Sequence, residues 1–112
     1  MDVEAKAQEA GAASLLLAEM DGEEKNRILY AIARGLEAEQ ERIVAANRVD
    51  LERGEKEKLA APLMKRLRFD GVKLSEAVRG VESVASLEDP VGRVLSAREL
   101  DTGLNLYQRS CP

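Results

Sequence analysis

The stretch that decides the fold is Leu87-Glu88-Asp89-Pro90-Val91-Gly92-Arg93, because the hydrophobic pattern changes at its proline. Proline lacks a backbone N–H and disfavours helical backbone in the residue before it. Upstream of Pro90, apolar residues recur at the spacing of helix faces, and downstream the pattern is that of extended chain. The sequence therefore predicts a helical segment over 1–89 and an extended β arm over 90–112.

The segment after Pro90 predicts a pair of strands, at 93–99 and 104–111, around a turn at Asp101-Thr102-Gly103. Two strands alone are marginal in water. We therefore expect the missing strands to lie on another chain, or on a part of this protein beyond Pro112. The residues predicted to form this interface are Val94, Leu95, Leu104, Leu106 and Tyr107.

Four to five helices are predicted before the arm. The first covers residues 2–20, with Asp2 as its N-cap, and Asp21-Gly22 ends it. A second apolar stripe continues to Leu51, and a polar run near Gln40 allows it to split into two helices. We expect Gly54 to end this stripe as the glycine just past a helix.

A third, short helix is expected around Leu59, Leu63 and Leu67, where Pro62 is tolerated only in the first turn. Asp70 is a candidate N-cap for the helix over 71–86. The apolar stripe of that helix is Val72, Leu74, Val78, Val81 and Ala85. Asn47 and Asp50 interrupt the preceding stripe, and their side chains are suited to capping or bridging a neighbouring loop.

Composition restricts the possible functions. The chain has 112 residues, a net charge of -4 and one cysteine. A mixed, slightly acidic surface argues against nucleic acid as a partner. No apolar run reaches the ~20 residues of a membrane span, and the start of the chain lacks the basic residues of a signal peptide. We therefore expect one soluble cytoplasmic domain without an intrachain disulfide.

The residues expected of an active site are missing. The sequence contains no histidine, and one cysteine is too few for a cysteine zinc site. Gly80, Gly92 and Gly103 are too far apart to form a phosphate-binding loop. Cys111 has only Arg109 as a basic neighbour, so a passive thiol is favoured over a nucleophile. We assign no catalytic, cofactor-binding or metal-binding residue.

Several segments nevertheless resemble the N-terminal segment of gamma-glutamyl phosphate reductase, also called glutamate-5-semialdehyde dehydrogenase. The resemblance extends over essentially all 112 residues and depends on the order of the segments, since none is specific alone. The segments are Glu24-Lys25-Asn26-Arg27-Ile28-Leu29, Ile32-Ala33, Ala45-Ala46-Asn47 with Asp50, Lys65-Arg66-Leu67, Leu87-Glu88-Asp89-Pro90-Val91-Gly92-Arg93-Val94 and Glu99-Leu100-Asp101-Thr102-Gly103-Leu104-Asn105-Leu106.

The resemblance implies the N-terminal part of an α/β fold of the aldehyde dehydrogenase superfamily. That family reduces gamma-glutamyl phosphate with NADPH in proline synthesis, through a cysteine thiol. It also implies that the helices pack around a nucleotide-binding domain and that the extended arm joins a small sheet used in oligomerisation. The chain ends before the nucleotide-binding sheet and the catalytic loop, and Cys111 does not match the family's nucleophile. The complete enzyme would use NADP, whereas no cofactor is expected in this chain.

Two functional hypotheses follow. In the first, the chain is a truncated reductase, inactive alone, whose partner is the missing C-terminal part or another copy bound through the arm. In the second, it is a free-standing helical module that pairs with a partner's sheet edge through the arm.

Overall fold

The computed structural model describes residues 2–112. Within them the chain forms five helices followed by a two-stranded antiparallel sheet, which confirms the predicted fold class of helices followed by a pair of strands. The elements are α1 (Val3–Glu19), α2 (Gly22–Ala38), α3 (Gln40–Lys56), α4 (Ala61–Leu67), α5 (Gly71–Ala85), β1 (Val94–Asp101) and β2 (Leu104–Arg109).

The chain divides into two compact units. The helical unit is Glu23–Leu87 and holds almost all of α2 together with α3, α4 and α5. The other unit combines the described residues up to Gly22 with Glu88–Pro112. We call its two strands, Val94–Asp101 and Leu104–Arg109, the ribbon.

Two aspartates cap helices as predicted. The Asp2 carboxylate accepts hydrogen bonds from the backbone N–H groups of Glu4 and Ala5, at 3.1 and 3.4 Å. The Asp70 carboxylate accepts from the N–H of Lys73 at 3.0 Å. Each satisfies N–H groups that have no partner within the helix. The predicted split of the second stripe is also confirmed, since only Glu39 separates α2 from α3.

The core of the helical unit lies between α2, α3 and α5. Ala33, Leu74 and Val78 are buried at its centre. The half-buried residues that pack around them are Leu36, Ile43, Phe69 and Val81. Val72 was wrongly included in the α5 stripe, since it is 68% exposed. It lies only two positions before Leu74, which turns it to a different side of the helix.

Gly54 does not end α3, which continues to Lys56. It is instead a buried contact point, because a Cβ there would lie 2.8 Å from Met64 Sδ and 2.9 Å from Leu59 Cδ1. The left-handed residue after the helix is Lys58, with φ of 55°. The prediction for Gly54 was wrong because a glycine near a helix end is equally suited to close packing.

Asn47 bridges α3 to the loop between α4 and α5. Its Nδ2 donates to the Leu67 carbonyl oxygen at 2.8 Å, and its Oδ1 accepts from the N–H of Phe69 at 2.7 Å. This confirms the bridging role expected of Asn47. Asp50 instead pairs with Arg53 on its own helix, at 2.8 Å.

The first helix has no buried residue, although its apolar residues recur at helical spacing. Val3 is 76% and Leu17 is 48% exposed. The predicted helix therefore forms, but none of its residues is buried. Among residues 2–112, none of the helices combines the length and the hydropathy of a membrane span.

Candidate functional site: the exposed ribbon

The ribbon is closed at its base by Ser110. The Ser110 carbonyl accepts from the N–H of Gly92 at 2.9 Å, and its own N–H donates to the Arg93 carbonyl at 3.0 Å. The hydroxyl accepts from the N–H of Arg93 at 3.1 Å and donates to the Pro90 carbonyl. Asp89 fixes the entry to this base, because its carboxylate accepts from the N–H of Val91 at 3.0 Å. The base is thus tied by side-chain as well as backbone hydrogen bonds.

The opposite end is the predicted turn at Asp101-Thr102-Gly103. Gly103 has φ of 77°, a conformation that a residue with Cβ adopts only under strain. The Asp101 carboxylate accepts from the N–H of Thr102 at 2.7 Å, and the Glu99 carboxylate accepts from the N–H of Gly103 at 3.1 Å. These carboxylates satisfy the turn's N–H groups, so the turn holds the strands in register.

The pairing assigns side chains to two faces. Residues directly opposite each other lie on the same face of a sheet. Arg98 faces Leu106 and Ser96 faces Gln108, and Leu104 lies two residues from Leu106. We call this the leucine face; its residues are Ser96, Arg98, Leu104, Leu106 and Gln108.

The second face carries the aromatic residue. Ala97 lies opposite Tyr107 and Glu99 opposite Asn105. Arg109 follows on the same side, with its guanidinium 5.8 Å from the centre of the Tyr107 ring. We call this the tyrosine face; its residues are Val94, Ala97, Glu99, Asn105, Tyr107 and Arg109.

Two irregularities change the alternation of β1. The register shifts between Val94 and Ser96, and again between Glu99 and Asp101. Leu95 and Leu100 are the extra residues at these bulges. The first shift places Val94 opposite Arg109, on the tyrosine face, although it lies two residues before Ser96 on the leucine face. Bulges of this kind decide which face a side chain joins.

All five residues predicted for the interface lie on the ribbon and are exposed. Leu104 and Leu106 are both 57% exposed on the leucine face, while Tyr107 is 54% and Val94 50% exposed on the other. Leu95 is at a bulge. The structure therefore does not bring the five residues together on one surface. Leu100 is a further apolar residue of the ribbon and is 56% exposed.

Every residue of both strands is exposed, so neither face of the ribbon is covered within residues 2–112. In the same part of the chain, no three His, Cys, Asp or Glu side chains are grouped so as to hold a metal ion. Cys111 is an exposed free thiol. The arrangement of the ribbon suits association with another sheet or polypeptide, because its apolar side chains and strand edges are accessible.

Comparison with known proteins finds relatives that match the whole chain. A gamma-glutamyl phosphate reductase from Pelotomaculum thermopropionicum is 50% identical to the chain over 112 residues, which are all of this chain and 26% of that protein. The chain matches the N-terminal region of gamma-glutamyl phosphate reductase. The resemblance noted from the ordered segments is thereby confirmed. No family model matches the chain.

Solved structures of gamma-glutamyl phosphate reductase have the same fold over nearly the whole chain. The structure from Saccharomyces cerevisiae has a TM-score of 0.87 and 43% identity, over 95% of this chain and 27% of that one. The structure from Thermotoga maritima has a TM-score of 0.91 and 28% identity, over 96% of this chain and 26% of that one. The chain thus spans about a quarter of the length of the reductases it matches.

Proposed function

We propose that the chain is a truncated N-terminal part of an NADP-dependent gamma-glutamyl phosphate reductase of proline biosynthesis, and that it is inactive alone. The observation that carries this proposal is a match over the whole chain that covers only 26% of the related enzyme. We assign the hydride transfer from NADPH and the thiol chemistry to the remaining three quarters. We also place the protein in the cytoplasm.

The role proposed for this part is structural. The sequence contains no histidine, and its one cysteine is exposed beside the last residue. By contrast, the ribbon presents apolar residues on both faces. Burying such residues against another sheet would stabilise the ribbon, since a two-stranded ribbon is marginal in water by itself.

We divide the chain by function into a helical segment, 1–89, and a β arm, 90–112. The arm is proposed to pair with strands of the remaining enzyme or of a second copy, and thereby to support oligomerisation. The residues proposed to be buried in this association are Val94, Leu95, Leu104, Leu106 and Tyr107.

An activity assay tests the proposal. The chain alone is compared with a chimera in which it replaces the aligned 112 residues of the Pelotomaculum thermopropionicum reductase. Each protein is assayed for the reverse of the proposed reaction, in which glutamate semialdehyde is oxidised by NADP and takes up inorganic phosphate to form gamma-glutamyl phosphate. We expect turnover from the chimera and none from the chain. Turnover by the chain alone would contradict the assignment of catalysis to the missing part.

The second candidate function is a free-standing interaction module that pairs through the β arm. It is favoured by the exposure of both ribbon faces, which does not depend on any active site. Light scattering and thermal unfolding of the chain distinguish the two. A defined dimer that melts cooperatively favours the module, whereas a polydisperse or partly molten species favours the truncated enzyme.

A further inference from the structure

The segment 58–69 has an unusual charge. It contains Lys58, Lys65, Arg66 and Arg68 but no aspartate or glutamate, within a chain whose net charge is -4. Three of these four cations lie in or beside α4 (Ala61–Leu67). The sequence therefore concentrates positive charge around one short helix.

In the part of the chain that the structure describes, three of these cations have no carboxylate partner, whereas four cations on the helices α1, α2 and α3 or beside them do. Helical ion pairs form between residues three or four positions apart. Such pairs, spaced by three residues, are Lys6–Glu9, Arg27–Glu24, Arg42–Glu39 and Arg53–Asp50. Within residues 2–112, Lys65, Arg66 and Arg68 form no salt bridge.

Two of the unpaired cations line a cleft with an apolar floor. The cleft is about 660 Å³ in volume. Its lining includes the apolar residues Leu59 and Met64, which we call the floor, and the cationic residues Lys65, Arg68 and Lys73, which we call the rim. Glu55 is the only acidic residue among the lining residues that the structure describes.

Tertiary contacts hold this cleft together. The missing side chain of Gly54 gives Leu59 and Met64 room to lie against α3. The Lys73 ammonium donates to the Lys65 carbonyl at 3.1 Å, and Lys73 is half-buried. A cation at this position is favoured by the carbonyl groups at the C-terminal end of α4. Both the floor and one rim cation are therefore positioned by contacts with other elements.

We infer that this cleft binds an acidic amphipathic segment of a partner protein. An apolar side chain of the segment occupies the floor of Leu59 and Met64, and its carboxylates pair with Lys65, Arg68 and Lys73. Glu55 repels a carboxylate at its own side of the cleft and so restricts the orientation of the segment. Charge complementarity supports this occupant, whereas the net negative charge of the chain and the apolar floor disfavour a nucleic acid.

A peptide titration tests the inference on the chain itself. The probe is a fluorescent peptide that alternates Leu-Leu and Glu-Glu pairs, and fluorescence anisotropy reports its binding. We expect saturable binding that weakens with added salt, because exposed ion pairs are screened. Replacing both Lys65 and Arg68 by Gln should raise Kd by about tenfold, as expected for the loss of two solvent-exposed ion pairs.

Arg66→Gln is the matched control, since Arg66 is an unpaired cation on the same helix but does not line the cleft. It should change Kd by less than about twofold, which is within the range of a weak, distant charge effect. Circular dichroism of each variant checks that the helices are retained. A substitution of the floor, Leu59→Gln, should weaken binding of this peptide without changing the salt dependence.

Several results would overturn the inference. One is a loss of peptide affinity in Arg66→Gln equal to that in the Lys65 and Arg68 double variant, and another is that polyglutamate without leucine binds as tightly as the peptide. A third is that duplex DNA or anionic lipid vesicles bind more tightly than the peptide. A fourth is that the folded chain does not bind the peptide. Peptide binding that requires dimers of the chain would assign the cleft to a second copy and would also contradict it. None of these measurements uses reductase activity, so they are independent of the proposed enzyme.

Discussion

The contribution of Asn47 to stability is directly testable with Asn47→Ala. Its side chain makes two hydrogen bonds to the loop between α4 and α5, one to the Leu67 carbonyl at 2.8 Å and one from the Phe69 N–H at 2.7 Å. The substitution removes both and leaves two half-buried backbone groups to find other partners. Because Phe69 also packs against the core, loosening this loop affects the core of the helical unit.

Two opposing contributions determine how much Asn47→Ala changes the free energy of unfolding. Each hydrogen bond contributes about 0.5–1.5 kcal/mol net, so two contribute about 1–3 kcal/mol. Alanine is a better helix former than asparagine by about 0.6 kcal/mol, which offsets part of the loss. We therefore expect the free energy of unfolding to fall by about 0.4–2.4 kcal/mol. Urea unfolding followed by circular dichroism measures this change.

Asn26→Ala is the matched control, because Asn26 lies on α2 and its side chain makes no hydrogen bond within residues 2–112. There only the helix propensity changes, so unfolding should become slightly less favourable. Amide hydrogen exchange gives a local measurement, since the Phe69 N–H should lose protection in Asn47→Ala. Equal stability of the two variants, with unchanged exchange at Phe69, would refute the bridging role.

Three further predictions concern the core, the turn and the ribbon surface. Leu74 is 1% exposed, so Leu74→Ala should lower the free energy of unfolding by about 2–5 kcal/mol in urea titrations, and Leu36→Ala by less because Leu36 is only half-buried. An equal effect of the two would contradict the observed core. Gly103 has φ of 77°, so Gly103→Ala should destabilise the ribbon by about 1 kcal/mol. Amide hydrogen exchange should then become faster in both strands. Unchanged exchange would argue against a strained turn. In the chimera, Leu106→Lys should lower the molecular mass measured by light scattering. The control Thr102→Lys, at the turn, should leave the mass unchanged. If the mass is unchanged in both variants, the leucine face takes no part in the association.

The local signals of the sequence were sufficient for the order and type of the elements. Asp2 and Asp70 were identified as caps because a short acidic side chain before an apolar helical pattern satisfies free N–H groups. Pro90 separated helix from strand because its backbone chemistry does not depend on distant residues. The turn at Gly103 was also predicted from the sequence, because the backbone preference of glycine likewise does not depend on distant residues.

The sequence predicted the two strands but not the face on which each of their residues lies. Apolar residues indicated the strands, and the five residues proposed for the interface are exposed on them. Alternation along β2 is sufficient to place Leu106 and Tyr107 on opposite faces. The sequence did not indicate that Val94 lies on the tyrosine face, because that assignment depends on the bulge at Leu95, which arises from the pairing of β1 with β2.

By itself the sequence determined where helices begin, where they give way to strands, and that no histidine takes part in any chemistry here. Only the tertiary structure decided that Gly54 is a contact point for Leu59 and Met64, and that α1 has no buried residue. The physical reason is that backbone preferences and caps act between neighbours in the chain. Burial and register instead depend on which surfaces meet, and an apolar pattern specifies that a face can be buried without specifying what buries it.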